Sequence, residues 1–262
     1  MAFAVMLSAQ AVRLGPLRFS AFGVCALVGL LLGFLLLQVT LRMAGFATPE
    51  QRDRVWDAAL AGVLITFAVS RVLLIAGDMR AFLSYPLLVL GLPSLTFKAL
   101  LFSSALLLLY LRWRRLPLLR TLDAWAPCVL VLLAAISVGD FIAGTDAGMP
   151  TTMPWGVLDP IYGRLHPVQL YAAVAAVWLC CWLLYRLMQP HANGAVARDA
   201  MLAGGTAALL LSFYTQPDPA QNHALLEHGQ WMALAVVACG AALQVALQPR
   251  SGDHEERPKE MR

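Results

Sequence analysis

The stretch from Gly139 to Tyr171 reads GDFIAGTDAGMPTTMPWGVLDPIYGRLHPVQLY, and it separates two long apolar runs. Pro150, Pro154, Pro160 and Pro167 each remove a backbone donor, and the glycines between them permit positive φ, so no continuous helix can run through it. Asp140, Asp146, Asp159, Arg164 and His166 give it a polar chemistry that its flanks lack. A loop this long is either a functional segment or a rigid turn between two membrane helices.

The flanks decide between soluble and membrane classes. The 262 residues are 60% hydrophobic and only 13% charged, where a soluble domain carries about 25% charged residues. A membrane-crossing helix needs roughly 20 largely apolar residues. Seven candidate spans emerge, at Phe19–Leu41, Val55–Ala76, Thr96–Leu111, Ala124–Gly144, Leu170–Leu187, Ala200–Tyr214 and Trp231–Leu247. Short polar links between them predict one bundle over residues 1–247, followed by a polar tail, Gln248–Arg262, with the composition of a disordered segment. Arg13 follows the first apolar residues instead of preceding them, which argues against a cleaved signal peptide. No basic stripe marks a polar face, so no nucleic-acid partner is expected. Cys25, Cys128, Cys180, Cys181 and Cys239 all lie in apolar runs, where thiols act as small hydrophobes, and no disulfide is expected.

Lysine and arginine orient the bundle. Of the 19 basic residues, thirteen fall on one side of a seven-span arrangement (Arg42, Arg52, Arg54, Arg112, Arg114, Arg115, Arg120, Arg186, Arg198, Arg250, Arg257, Lys259 and Arg262). Four, Arg13, Arg18, Arg80 and Arg164, fall on the other. The richer side marks the cytoplasm, which places the N-terminus outside, the C-terminus inside and the Gly139–Tyr171 loop on the outer face. The two that remain, Arg71 and Lys98, lie among apolar residues at the outer ends of the second and third spans. A charge at membrane depth is costly and marks a functional candidate, unless the long side chain snorkels to the interface.

Cations near the outer leaflet suit an anionic phospholipid head group, because guanidinium grips phosphate bidentately and ammonium meets it as a point charge. His166 could serve as a base, since histidine is the side chain suited to proton transfer at physiological pH; before Pro167 it could equally be a solvated interfacial residue. Trp155 and Tyr171 fit an aromatic belt. In HALLEH, His223, Glu227 and His228 could meet on one helical turn, without the further ligands a metal needs. No nucleophile elbow, phosphate-binding loop or HExxH word is present.

Three words in the loop, G-D-F-I-A-G at 139–144, M-P-T-T-M-P-W-G-V at 149–157 and H-P-V-Q-L-Y at 166–171, resemble the signature region of the prolipoprotein diacylglyceryl transferases. Weaker echoes are L-G-P-L at 14–17, F-G-V at 22–24, S-R-V at 70–72 and Q-P-D at 216–218, in the family's order over nearly the whole chain. The resemblance implies an all-α, seven-span protein of the bacterial inner membrane, without metal or cofactor. It implies transfer of a diacylglyceryl group from phosphatidylglycerol to the lipobox cysteine thiol of a prolipoprotein, with release of glycerol phosphate. On that footing Lys98, Asp140 and His166 are the catalytic candidates, and Arg71, Arg164, Gln169 and Tyr171 the substrate-binding ones.

The sequence departs from the family pattern at several of these places. Lys98 in Thr96-Phe97-Lys98 stands where the family has histidine, Ser137 where it has arginine, and Asp140 where it has asparagine. Phe22 replaces a tyrosine, Ala172 a glutamate, and Ala208 and Ser212 align loosely with an arginine and a glutamate. Lysine replaces histidine readily as a cation, but as a base only where burial strips its proton. Asp140 beside it favours a charged Lys98 that anchors phosphate, and Arg71, Lys98, Asp140 and His166 are expected to converge in one outward-facing cavity. The rival expectation is a non-catalytic relative that binds phospholipid or lipoprotein. A small transporter is disfavoured by the lack of paired repeats and of acidic residues within the spans.

Overall fold

Ser20 starts the first long helix: its Oγ accepts the Gly23 amide at 3.1 Å, satisfying one of the donors that a helix N-terminus leaves open. In the computed structural model, residues 11–14, 17–77, 79–80, 96–145, 148–159, 162–216 and 226–248 are described. Their elements run β1 (Ala11–Leu14), β2 (Leu17–Ser20), α1 (Ala21–Met43), α2 (Pro49–Gly77), α3 (Phe97–Trp113), α4 (Leu118–Ala143), β3 (Val157–Asp159), β4 (Gly163–Leu165), α5 (Val168–Met188), α6 (Ala195–Ser212) and α7 (His228–Leu247). Gly15 and Pro16, Asp146, Pro217 and Asp218, His223 and the tail from Pro249 lie outside the described residues.

Each expected span has its helix. Among the described residues, six of the seven helices named above are long and apolar enough to cross a membrane, which makes this a multi-pass membrane protein; α3 has 17 residues. Three helices begin five or more residues earlier than hydropathy suggests, α2 at Pro49 instead of Val55, α4 at Leu118 instead of Ala124 and α6 at Ala195 instead of Ala200. Charged residues near their starts (Glu50, Arg52, Asp53, Arg54; Arg120, Asp123; Arg198, Asp199) make a hydropathy window reject these turns, although a helix tolerates a charge that is solvated or hydrogen-bonded. Two small antiparallel hairpins, β1–β2 and β3–β4, supplement the helices.

Close approach holds α1 against α4. A Cβ on Gly29 would stand 2.5 Å from the Cβ of Ala135, and one on Gly139 would stand 3.0 Å from the Cβ of Cys25 and 3.1 Å from the Cα of Phe22. Small residues let two backbones meet in lipid, where packing rather than water exclusion drives helix association. The order of these contacts shows that α1 and α4 run antiparallel, with the start of α1 beside the end of α4. Leu37, Leu41, Val55, Ala124, Leu130, Leu183 and Val196 then join α1, α2, α4, α5 and α6 in one buried cluster. All five cysteines are free thiols.

At the end of the bundle where α1 finishes, two carboxylates fix the helices. Asp123 of α4 is fully buried and accepts the amides of Gly194 at 2.6 Å and Ala197 at 2.8 Å, which caps α6 from outside its own sequence. Gly194 adopts φ 91°, open to glycine without penalty. Asp199 pairs with Arg186 of α5 at 3.2 Å and with Arg198 at 2.5 Å. Glu227 is the N-cap of α7, in a capping box with Gln230, so it precedes the helix instead of sharing a turn with His228 as a ligand would.

Candidate functional site

The loop after α4 folds into a platform tied to the end of α6. Met149 donates its amide to the Tyr214 carbonyl at 2.8 Å, and the Gln216 side chain donates to the Gly148 carbonyl at 3.2 Å. Thr151 donates to the Arg164 carbonyl at 2.8 Å and His166 to the Met149 carbonyl at 3.0 Å, which lays the outgoing chain on the β3–β4 hairpin. Within that hairpin Val157 pairs with Leu165, Leu158 with Arg164 and Asp159 with Gly163. The prolines explain why this is a platform and not a sheet: they remove ladder donors, so pairing stays short. Pro167 stands at the N-cap of α5, where a missing amide costs nothing, and the helix starts at Val168.

That start brings His166, Gln169 and Tyr171 together. The Tyr171 hydroxyl accepts the Trp155 indole at 2.8 Å and lies 3.3 Å from His166 Nδ1. An indole only donates, so one lone pair of the hydroxyl is committed to it and the other can accept Nδ1–H. In that tautomer Nε2 of His166 is left as an acceptor, the state a general base needs. The half-buried imidazole is also held edge-on to the Tyr214 ring, with centroids 5.4 Å apart.

A second set of bonds joins α4 to α5. Thr145 Oγ1 donates to Asp140 Oδ1 at 3.0 Å and sits 3.3 Å from the Asp140 carbonyl. Gln169 Nε2 donates to the Thr145 carbonyl. Asp140 is thereby tied through Thr145 to Gln169, in the first turn of the helix that carries Tyr171. Phe22 lies against Gly139, next to Asp140, at the start of α1. Arg164 presents an exposed side chain on β4.

The remaining two candidates belong to the α2–α3 pair. Arg71 is 6% exposed on α2, with its guanidinium carbon 5.3 Å from the centroid of Phe67. Lys98 is exposed in the first turn of α3, behind a Thr96 N-cap that accepts the Ala99 amide at 3.3 Å. Thus Asp140, His166, Gln169 and Tyr171 form one connected group, whereas Arg71 and Lys98 stand on separate helices.

A family model described as prolipoprotein diacylglyceryl transferase matches residues 9–246, nearly the whole helical bundle. The chain belongs to that family. It is 30% identical to the phosphatidylglycerol–prolipoprotein diacylglyceryl transferase of Nitrosomonas europaea, over 89% of this chain and 87% of the relative. It is also 30% identical to the same-named protein of Cupriavidus pinatubonensis, over 95% of this chain and 94% of that one. The relative from Clostridium tetani is 23% identical over 86% of this chain.

The arrangement offers a half-buried imidazole against Tyr171 and Tyr214, and a carboxylate at the end of α4, on a platform at one end of the bundle. Sequence reading found His166 and Tyr171 and placed Trp155 and Tyr171 in an interfacial belt; the structure adds that the two are hydrogen-bonded to each other. It missed Thr145 and Tyr214. Thr145 had a usable signal, a hydroxyl one residue past the glycine that ends a helix, where side chains often bond back. Tyr214 had only its nearness to the Q-P-D word.

Proposed function

We propose that this protein transfers the diacylglyceryl group of phosphatidylglycerol to the lipobox cysteine of a prolipoprotein, at the outer face of the bacterial inner membrane. The match of the family over residues 9–246 carries the proposal. The seven helices act as seven spans, N-terminus outside and C-terminus in the cytoplasm, in a single bundle over residues 1–247 with residues 248–262 as a cytoplasmic tail; thirteen basic residues against four support that orientation.

The reaction forms a thioether bond between the cysteine sulfur and the glyceryl carbon that bore the phosphate. The carbon–oxygen bond to phosphate breaks, and glycerol phosphate leaves with the electron pair. The thiol proton passes to His166 Nε2, in the tautomer that Tyr171 holds, and from there to the departing phosphate or to solvent. Developing charge on the phosphate needs cations. Arg71, Arg164 and Lys98 supply them, with Asp140 holding the end of its helix to Thr145, and Gln169 and Tyr171 orienting the donor. Gly62 of α2 lies against Leu107 of α3. Nine residues on from each in an antiparallel pair (62 to 71, 107 to 98) stand Arg71 and Lys98, so one level of the membrane receives both charges. The exposure of Lys98 in the first turn of α3 suits an anchor that meets a phosphate as a point charge.

A second reading is favoured by one observation: Lys98 stands where the family has histidine. On that reading the protein binds phospholipid or lipoprotein without turnover. A cell depleted of its ordinary transferase and supplied with this gene separates the two. Growth with mature lipoproteins supports transfer; no rescue, with the protein verified in the membrane, supports binding alone.

A further inference from the structure

A pocket of about 170 Å³ lies at the other end of α1 from Asp140, across a helix of 23 residues that spans roughly 34 Å. It opens between the α1–α2 turn and the α3–α4 turn and is lined by Phe46, Gln51, Arg54, Arg115, Leu116 and Arg120. We propose that it holds the phosphate of an anionic phospholipid from the leaflet opposite the transfer site. The proposal is independent of the transfer reaction.

Three guanidinium groups around one small pocket repel one another unless an anion joins them. Among the described residues the ion pairs run from Arg186 and Arg198 to Asp199, so none of the three has a carboxylate partner. Asp53, the acidic residue nearest in sequence to Arg54, lines a neighbouring groove with Arg42 and Arg52 instead. Arg120 is already fixed: its Nε donates to the Ala44 carbonyl at 2.6 Å, a terminal nitrogen donates to the Gly45 carbonyl, and its guanidinium carbon lies 4.7 Å from the centroid of Phe46. A preordered cation loses little entropy when a ligand arrives. Arg115 holds φ 52°, a left-handed conformation that a non-glycine residue adopts at a cost and that gathers at ligand sites. Gln51 and Arg54 sit in the first turns of α2, whose dipole favours an anion there.

The apolar surroundings select a lipid over a soluble phosphate. Phe46 and Leu116 form part of the wall, and beside it Trp113 is 75% exposed and Leu118 37% exposed, surfaces suited to glycerol and acyl carbons.

The test uses the full chain in nanodiscs containing phosphatidylglycerol with a photoreactive group near its glycerol backbone, followed by mapping of labelled peptides. Label is expected on peptides containing residues 46–54 and 113–120, separately from any on residues 148–171. R54Q/R115Q, which spares the structural Arg120, should lower the first label roughly ten-fold, as loss of charge-assisted phosphate bonds implies, and leave the second unchanged. R112Q/R114Q removes the same charge from exposed arginines outside the pocket and should lower neither. Equal labelling of wild type and R54Q/R115Q overturns the proposal, as does an equal loss in both double variants. Undiminished labelling by a phosphatidylcholine probe also overturns it. Competition by soluble glycerol phosphate would assign the pocket to a free phosphate and overturn the lipid source. Loss of label at 148–171 alone in the wild type would count against the transfer reading and leave this pocket standing.

Discussion

The two ends of the bundle use carboxylates in opposite ways. At one end Asp123 is fully buried with both oxygens engaged by α6 amides, and Asp199 has both oxygens engaged by arginines. Neither carboxylate can respond to a substrate without the helices separating. At the other end Asp140 is half-buried on a helix terminus and bonded to an exposed threonine, and the half-buried His166 imidazole lies 3.3 Å from the Tyr171 hydroxyl and edge-on to the Tyr214 ring. Polar groups that are fully buried and closed on every side hold a fold, whereas groups that keep some exposure to the surroundings can bind and react.

That contrast fails first if the closed end proves dispensable. Asp123→Ala leaves two buried amides without their acceptor and should cost about 3 kcal/mol, read as a large fall in thermal unfolding temperature in detergent. Between the two ends, Gly29→Leu drives a side chain into Ala135 and should cost about 2 kcal/mol by forcing α1 from α4. At the open end, Tyr171→Phe removes the acceptor of the Trp155 indole for only about 1 kcal/mol, while it releases His166. A shifted Trp155 fluorescence with a much larger loss of transfer than of stability would sharpen the distinction. Thr145→Val, which removes an exposed bond to Asp140, should change stability by less than about 0.5 kcal/mol. Should its unfolding shift match that of Asp123→Ala, the two ends are alike and the contrast is wrong.

Sequence showed the open end better than the closed one. The H-P-V-Q-L-Y word located the turn, the helix start and three residues of the connected group, because proline fixes backbone geometry locally. The helices were legible from apolar runs, with errors at Pro49, Leu118 and Ala195 where charged turns continue a helix beyond its greasy part. Asp123 was not legible: a carboxylate three residues after Arg120 reads as an interfacial charge, and its partners lie 71 and 74 residues away. The arginine pocket was hidden for the same reason, since the charge count treated Arg54, Arg115 and Arg120 as markers of one side of a membrane and said nothing of their meeting in space.

The central claim is that the open end performs transfer, and reconstitution tests it most directly. Purified protein in phosphatidylglycerol nanodiscs is given a lipobox peptide with a free cysteine, and the peptide mass is followed. The account predicts that the wild type adds one diacylglyceryl group to the thiol and releases glycerol phosphate, with Lys98→Arg retaining product and Lys98→Met and His166→Ala losing most of it. A folded wild type that binds phosphatidylglycerol yet leaves the peptide mass unchanged would contradict it.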